Sequence, residues 1–340
     1  MISSQQPTCS VCIANYNGMG FIDACLKSVL SQDCTFEVEV IVHDDKSTDG
    51  SAEFIRRNFP EVVLMVSNEN VGFCVSNKRM VAKARGEYIL LLNNDATLFS
   101  DALSTFHECA TMESKPAILG LPQYDATTGK LIDIGSLFDP FLNPMPNLYS
   151  ERKEVGMVIG ACLWLPKTLW EELDGFPEWF HALAEDMYLC CLARLKGKSV
   201  MAIPDSGFKH RVGSSLGGGK VVRNRLATSL KRRAFSERNK SFVMALCFPP
   251  PFFQLLFPLH IFLLLAEGIL LAAIKFNVGL FNTIYLACLK SLWLERQRLW
   301  HLRCSIQKKR RIKARQFFSV FVVIPHKLKM LLKHGVPEIS

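Results

Sequence analysis

One stretch, Asn70 to Thr97 (NVGFCVSNKRMVAKARGEYILLLNNDAT), limits the fold of this chain more than any other. It reads as a helix, then a short apolar strand from Tyr88 to Leu92, then a polar stop made of Asn93, Asn94 and Asp95. In an open parallel α/β sheet the carboxyl edge is where ligands bind. A carboxylate there, flanked by two amides, can hold a divalent cation or a polar ligand. Asn and Asp also favour turns for local backbone reasons, so the triplet taken alone reads better as a strand-end turn, and the other motifs shift that balance.

The rest of the N-terminal two thirds repeats that pattern. Thr8 to Ala14 is apolar and breaks at Asn15-Tyr16-Asn17-Gly18, a strand running into a turn. From Phe21 to Leu30 the apolar residues follow a helical stripe. Phe36 to Val42 is a second strand leading into His43-Asp44-Asp45, and Ser51 to Asn58 a second helix. Val62 to Val66 is a third strand, Gly72 to Ala84 a third helix, and Tyr88 to Leu92 the fourth strand. This alternation predicts a doubly wound parallel sheet with right-handed crossovers. Further on, a helix over Ser100 to Met112 and a strand over Ala117 to Leu121 are expected, with 123–150 as an irregular insertion over the ligand. Val155 to Pro166 reads as one buried strand, Lys167 to Leu173 as a short helix and Glu185 to Lys196 as a helix opening on two acids. Ser199 to Ile203 is a last strand, and Asp205 to Ser215 a polar loop carrying His210.

The charge divides the chain in two. Residues 1–223 hold 20 Lys/Arg against 27 Asp/Glu, and residues 224–340 hold 20 against 4. The expected domains are therefore 1–223, an α/β body, and 224–340, a basic helical region whose partner is an anionic surface. Phe252 to Ile274 has one charged residue, Glu267, and is long enough to span a bilayer. Pro258, His260 and Glu267 suit lipid poorly, and a single span would put basic flanks on both sides of the membrane. A re-entrant or in-plane helix, or a hairpin returning over Val278 to Leu294, keeps them on one side. A buried helix of a soluble domain is the weaker reading. Nucleic acid, the competing partner for the charge, finds no recognition module here.

Twelve cysteines are scattered without paired zinc-type spacing. Cys9 and Cys12 form one CxxC, but CSVCIA reads as a buried strand in which Cys acts as a small hydrophobe. So many unpatterned thiols fit a reducing compartment. No basic segment followed by an apolar run opens the chain, so no signal peptide is expected.

Four polar clusters thus fall at strand ends: His43-Asp44-Asp45, Asn93-Asn94-Asp95, Glu185-Asp186 and His210. Together they form a kit for a nucleoside diphosphate. One carboxylate takes a base or ribose, and a second holds Mg²⁺ or Mn²⁺ against the phosphates. A third can deprotonate an attacking hydroxyl.

In their order, ValCysIleAlaAsnTyrAsn, ValHisAspAspLysSerThrAspGly, AsnValGlyPhe, LeuLeuAsnAsnAspAla, GluAsp and the late His resemble family 2 glycosyltransferases of the GT-A fold over roughly residues 8–215. Asn70-Val71-Gly72-Phe73 with Asn77 looks most like the bacterial rhamnosyltransferase-like branch. That resemblance implies a GT-A-type, Rossmann-like, mostly parallel sheet with helices on both faces, followed by a membrane-associated helical region. It further implies Asp45, Ala14, Tyr16, Asn77 and Asn94 at the nucleotide sugar. Asp95, Asn93 and His210 would stand at Mg²⁺ or Mn²⁺, with Asn93 replacing the first acid of the DxD motif. Asp186, with Glu185 beside it, would be the catalytic base of an inverting displacement. The donor would be a nucleotide sugar such as dTDP-L-rhamnose, and the acceptor a lipid-linked saccharide at the cytoplasmic face of the inner membrane. Trp179-Phe180 would help hold the acceptor, so that replacing Trp179 raises its KM.

Other classes fit less well. A nucleotidyltransferase usually carries a Gly-rich basic loop after its first strand, and AsnTyrAsnGlyMetGly has no Lys or Arg. A non-catalytic scaffold of the same fold is suggested by Asn93 and opposed by Asp45, Asp95 and Asp186. A hydride-transferring dehydrogenase fits less well still, since no GxGxxG follows any strand.

Overall fold

The computed structural model describes residues 6–113, 117–211, 213, 218–222 and 225–339. Two compact units are present: Met1–Ser136, Pro146–Ala193 and Lys198–Arg211 form the first, and Leu137–Met145, Arg194–Gly197 and Val212–Ser340 the second. The boundary expected between residues 223 and 224 lies outside the described residues.

In the first unit the expected alternation appears as β1 (Cys9–Asn15), α1 (Ile22–Leu30), β2 (Val38–Asp44), α2 (Ser51–Asn58), β3 (Val63–Val66), α3 (Phe73–Lys83) and β4 (Tyr88–Asn93). β1 lies parallel between β2 and β4, with Ala14 level with both His43 and Asn93. The three strands therefore end together, and their polar residues emerge along one edge. On one side of the sheet, Val11, Ile13, Leu90 and Leu92 join Ile22, Leu26 and Phe106 in a single core. The buried α1 residues Ile22, Cys25, Leu26 and Val29 recur at three- and four-residue intervals, which puts one stripe of the helix against the strands. Cys9 and Cys12 are fully buried, as expected of small hydrophobes, and burial pushes both thiols well above their usual range.

The chain continues through β5 (Ala96–Leu98), α4 (Ala102–Met112), β6 (Ala117–Gly120), β7 (Gln123–Asp125) and β8 (Leu131–Asp133). A hairpin of β9 (Ser136–Phe138) and β10 (Pro144–Pro146) carries it out of the first unit and back. Then come β11 (Cys162–Pro166), α5 (Lys167–Leu173), α6 (Glu185–Leu195), β12 (Ser199–Ala202) and β13 (Phe208–His210). The main sheet has seven strands in the order β12-β6-β11-β4-β1-β2-β3. Only β11 among them runs antiparallel, against β4 and β6. Its Trp164 stacks between Tyr88 and Phe106, each ring centroid 5.2 Å away.

Three expectations are corrected. The stretch 123–150 is not irregular: it supplies β7, β8, β9 and β10. Residues 155–166 are not one strand; Cys162–Pro166 forms β11, and the buried loop before it makes a single antiparallel bridge from Met157 to Ser136. His210 lies on a strand rather than in a loop. β13 pairs with β5 and β7 in a small second sheet of order β5-β13-β7-β8.

The second unit contains β14 (Gly218–Val222), β15 (Arg225–Thr228), α7 (Leu230–Cys247), α8 (Phe252–Ile274) and α9 (Val278–Leu280). A π-helical segment over Phe281–Leu286 runs into α10 (Ala287–Leu294), followed by α11 (Arg296–Lys308), α12 (Ala314–Phe317), α13 (His326–His334) and β16 (Glu338–Ile339). The wide π turn holds Phe281 and Tyr285 against Gly268 of α8, where an added Cβ would lie 2.6 Å from the Tyr285 ring. Leu264, Leu271, Ile284, Tyr285 and Cys288 form the apolar centre.

Candidate active site

The edge shared by β1, β2 and β4 is fixed by buried amides and carboxylates. Asn15, at the end of β1, donates from Nδ2 to Asp44 Oδ2 at 2.7 Å and to Ser51 Oγ at 2.9 Å. Its Oδ1 accepts from Asn94 Nδ2 at 2.9 Å. Asn94 is thus occupied in clamping β4 to β1. Gly18 is required at this junction, because a Cβ would fall 2.1 Å from Asn15 Oδ1. Asp49 braces the turn before α2, accepting from the Ser51 and Met19 N–H groups.

Asp45 follows β2 and reaches into the loop before α3. Its two oxygens accept the N–H groups of Val71 at 2.7 Å and Gly72 at 2.9 Å. Gly72 has φ +86°, and a Cβ there would lie 2.5 Å from His181 Nδ1. Asn77 is 1% exposed and donates to the Phe73 carbonyl of its own helix. Tyr16 is 53% exposed just past β1, and Ala14, within β1, is half-buried. Next door, burial holds the His43 imidazole below its usual value despite the neighbouring Asp45.

At the end of β4 the second sheet brings His210 to Asp95. His210 Nε2 lies 3.2 Å from Asp95 Oδ1 and 3.4 Å from Asn93 Nδ2, with His210 and Asp95 buried and Asn93 half-buried. Of the residues expected at a cation, the fold therefore gathers Asn93, Asp95 and His210. No group of three His, Cys, Asp or Glu converges among the described residues. The donor set is one carboxylate, one imidazole and one amide. It fits a hard or borderline divalent ion that completes its shell with phosphate oxygens.

Sequence reasoning did not find the residue behind His210. Gln123 Nε2 is 2.8 Å from His210 Nδ1, and Gln123 is 1% exposed. Opposite it on β8 stands Asp133, whose carboxyl burial pushes up to about 6, although the Ser136 hydroxyl and His210 pull the other way. The signal was β-strand pairing over long sequence distances, which no local pattern carries.

Glu185 and Asp186 open α6, where carboxylates complement the helix macrodipole. Asp186 Oδ2 accepts the Gly160 N–H at 2.9 Å. The next residue, Ala161, accepts the Asn93 N–H at 3.0 Å. Two adjacent residues of the buried loop before β11 thus tie the acid of α6 to the end of β4. Three of the four residues leading up to Glu185, namely His181, Leu183 and Ala184, have positive φ, a conformation that side chains other than glycine rarely adopt. The His181 carbonyl accepts from the Cys74 N–H, so this strained segment is anchored on α3. Trp179 packs edge-on against Phe180, with ring centroids 4.7 Å apart.

A family model described as glycosyl transferase family 2 matches residues 10–143, and one described as glycosyl transferase family group 2 matches residues 88–292. The chain belongs to the family 2 glycosyltransferases. The poly(ribitol-phosphate) beta-glucosyltransferase of Bacillus spizizenii is 28% identical over 212 residues, covering 60% of this chain and 32% of that protein. The hyaluronan synthase of Pasteurella multocida is 30% identical over 188 residues, covering 54% and 18%. This glycosyltransferase therefore spans about a third or less of the length of those two curated relatives. Among solved structures, the mannosyltransferase PcManGT from Pyrobaculum calidifontis, in complex with GDP-Man and Mn²⁺, matches with TM-score 0.53 at 18% identity. That match covers 90% of this chain and 86% of the other. S. aureus TarS matches with TM-score 0.52 at 17% identity, covering 71% and 39%. These likenesses show the GT-A fold expected from the sequence.

Proposed function

We propose that this glycosyltransferase moves a sugar from a nucleoside diphosphate donor to a hydroxyl of a growing cell-surface saccharide, with inversion at the anomeric carbon. The convergence of Asp95, His210 and Asn93 at the carboxyl end of β4 carries the reading. Relatives whose names concern a poly(ribitol-phosphate), chondroitin and hyaluronan support the acceptor class. Structural neighbours captured with UDP, UDP-GlcNAc or GDP-Man support the donor class.

Asp95, His210 and the Asn93 amide oxygen would hold Mg²⁺ or Mn²⁺, which offsets charge on the departing diphosphate. Asp45, Ala14, Tyr16, Asn77 and Asn94 would frame the nucleotide. In this arrangement Asp45 and Asn94 act largely through the backbone and amide bonds that shape the pocket. Asp186 would take the acceptor proton. An ionised carboxylate has about four lone-pair positions, and in Asp186 each oxygen accepts a backbone N–H, Oδ2 from Gly160 and Oδ1 from Met187. The acceptor is a lipid-linked saccharide, and the basic second unit attaches to an anionic leaflet at the cytoplasmic face of the membrane.

The test is binding and slow hydrolysis of a nucleotide-sugar panel, including dTDP-L-rhamnose, with and without Mn²⁺. Asp95→Ala is expected to weaken donor binding, and Asp186→Asn to bind donor but turn over at least a hundred-fold more slowly. If no nucleotide sugar binds under any metal condition, the catalytic reading falls. A product that retains the donor's anomeric configuration would refute inversion alone.

A further inference from the structure

We infer that α8 does not cross the bilayer but lies along its surface, with its outer apolar face set into an anionic leaflet. The inference rests on the membrane-attachment reading above. By length α8 qualifies as a span, since 23 residues rise roughly 34 Å as a helix. What is fastened to it rules that out.

Ser241 Oγ of α7 meets His260 Nε2 of α8 at 2.8 Å. Farther along, Arg233 of α7 pairs with Glu267 of α8. Eight residues back on one helix therefore match seven forward on the other, so the two run antiparallel and side by side. Leu230, the first residue of α7, packs on the cluster containing Leu264 and Leu271. Whatever depth α8 reaches, α7 reaches with it. α7 carries Lys231, Arg232, Arg233, Glu237, Arg238 and Lys240, and Lys231 is exposed. A helix of that composition does not enter a hydrocarbon core. The returning segment offers no way out, because Cys288 Sγ lies 3.6 Å from Ser241 Oγ and 3.7 Å from the Glu237 carbonyl.

Two of the three α8 residues that suited lipid poorly, His260 and Glu267, are turned inward, while Pro258 is exposed. His260 is 4% exposed, and Glu267 also receives Lys327 Nζ at 2.7 Å. Facing outward are Leu255, Leu259, Phe262, Ile269, Leu270 and Ile274. Their spacing describes one face of a helix. Trp293 and Trp300 are exposed too, and Arg296 sits 4.2 Å over the Trp293 ring, a pairing suited to the headgroup level. The excess of 20 Lys/Arg over 4 Asp/Glu from residue 224 onward supplies the charge complementary to anionic lipid.

The experiment uses the full chain with an N-terminal tag in sealed membrane vesicles. Cys304 is the exposed thiol among the described cysteines, so Cys304→Ser lowers the background. Phe276→Cys, just beyond α8 at a residue 97% exposed, then reports the far end of the helix. A membrane-impermeant maleimide is expected to label position 276 from the side on which protease removes the tag, and alkaline carbonate to release the protein. Leu255→Glu combined with Phe262→Glu is expected to cut flotation on phosphatidylcholine vesicles containing phosphatidylglycerol by an order of magnitude, with unchanged circular dichroism. Labelling of position 276 only from the opposite side overturns the inference while leaving attachment intact. Failure of the unaltered chain to float on those vesicles overturns attachment and the inference together. A soluble dimer dispersed by Phe262→Glu, with flotation unaffected, assigns the face to a second copy and likewise overturns it.

Discussion

Gln123 Nε2 and His210 Nδ1 face each other at 2.8 Å inside the protein, and this contact sets which imidazole nitrogen is presented to Asp95. With the amide turned over, its oxygen accepts Nδ1–H and leaves the Nε2 lone pair for a cation. A partner of this kind orients ligating histidines and raises their basicity. Gln123→Leu is therefore expected to weaken Mn²⁺ binding by about 10- to 100-fold, read by electron paramagnetic resonance titration with nucleoside diphosphate present. Unchanged affinity in a folded variant would remove Gln123 from the site.

Gly72 carries two constraints at once, a left-handed φ and a 2.5 Å approach to His181. Gly72→Ala must strain the backbone or displace the 181–184 segment, and the Gly72 N–H on Asp45 goes with it. A loss of roughly 2–4 kcal/mol in urea unfolding is expected. A loss under about 1 kcal/mol would mean that the segment yields freely.

Glu39 gathers the Ser10 hydroxyl at 2.6 Å, the Arg85 N–H at 3.0 Å and Arg85 Nε at 2.7 Å. Burial works to raise its pKa, but these bonds outweigh it and hold the carboxyl below the usual range. A depressed carboxylate contributes stability above its unfolded pKa of about 4.3 and loses it as pH falls through the folded value. The Tm gap between the wild type and Glu39→Gln should be widest near neutrality and close in acid. A gap constant with pH would contradict this account.

In the second unit, Glu237 receives Lys240 at 2.8 Å and Lys327 at 2.5 Å, and both Glu237 and Lys240 are almost fully buried. Those cations hold the carboxyl far below its usual range against the cost of burial. Glu237→Gln leaves the cations facing each other and should cost about 3–5 kcal/mol. Glu237→Gln combined with Lys240→Met should recover part of that loss in thermal melts.

How much of this was legible beforehand depends on where each residue finds its partners. α2 was read to its exact ends, because Asp49 and Gly50 before it are local punctuation. β1, β2 and β4 were visible as apolar runs with polar stops. β13 was read as a loop because three residues, Phe208 to His210, hold no period, and their pairing with β5 and β7 comes from residues about a hundred positions away. Gly160 hid inside an apolar stretch that looks like a strand, although its N–H serves Asp186. Gln123 carried no signal, since its importance lies wholly in what the second sheet brings beside it.

The antiparallel strand β11 also bears on how the chain is made. β4, with its leucine run, has β1 on one side and β11 on the other, and β11 leaves the ribosome about seventy residues later. During those seconds of synthesis the open side of β4 is an unpaired, apolar sheet edge, the kind of surface that recruits foreign strands. Closing that edge, and shelter from aggregation, wait for β11 and the loop before it that also bonds Asp186. Polymorphism in residues 155–166 would then be felt as lost yield before it is felt as lost turnover.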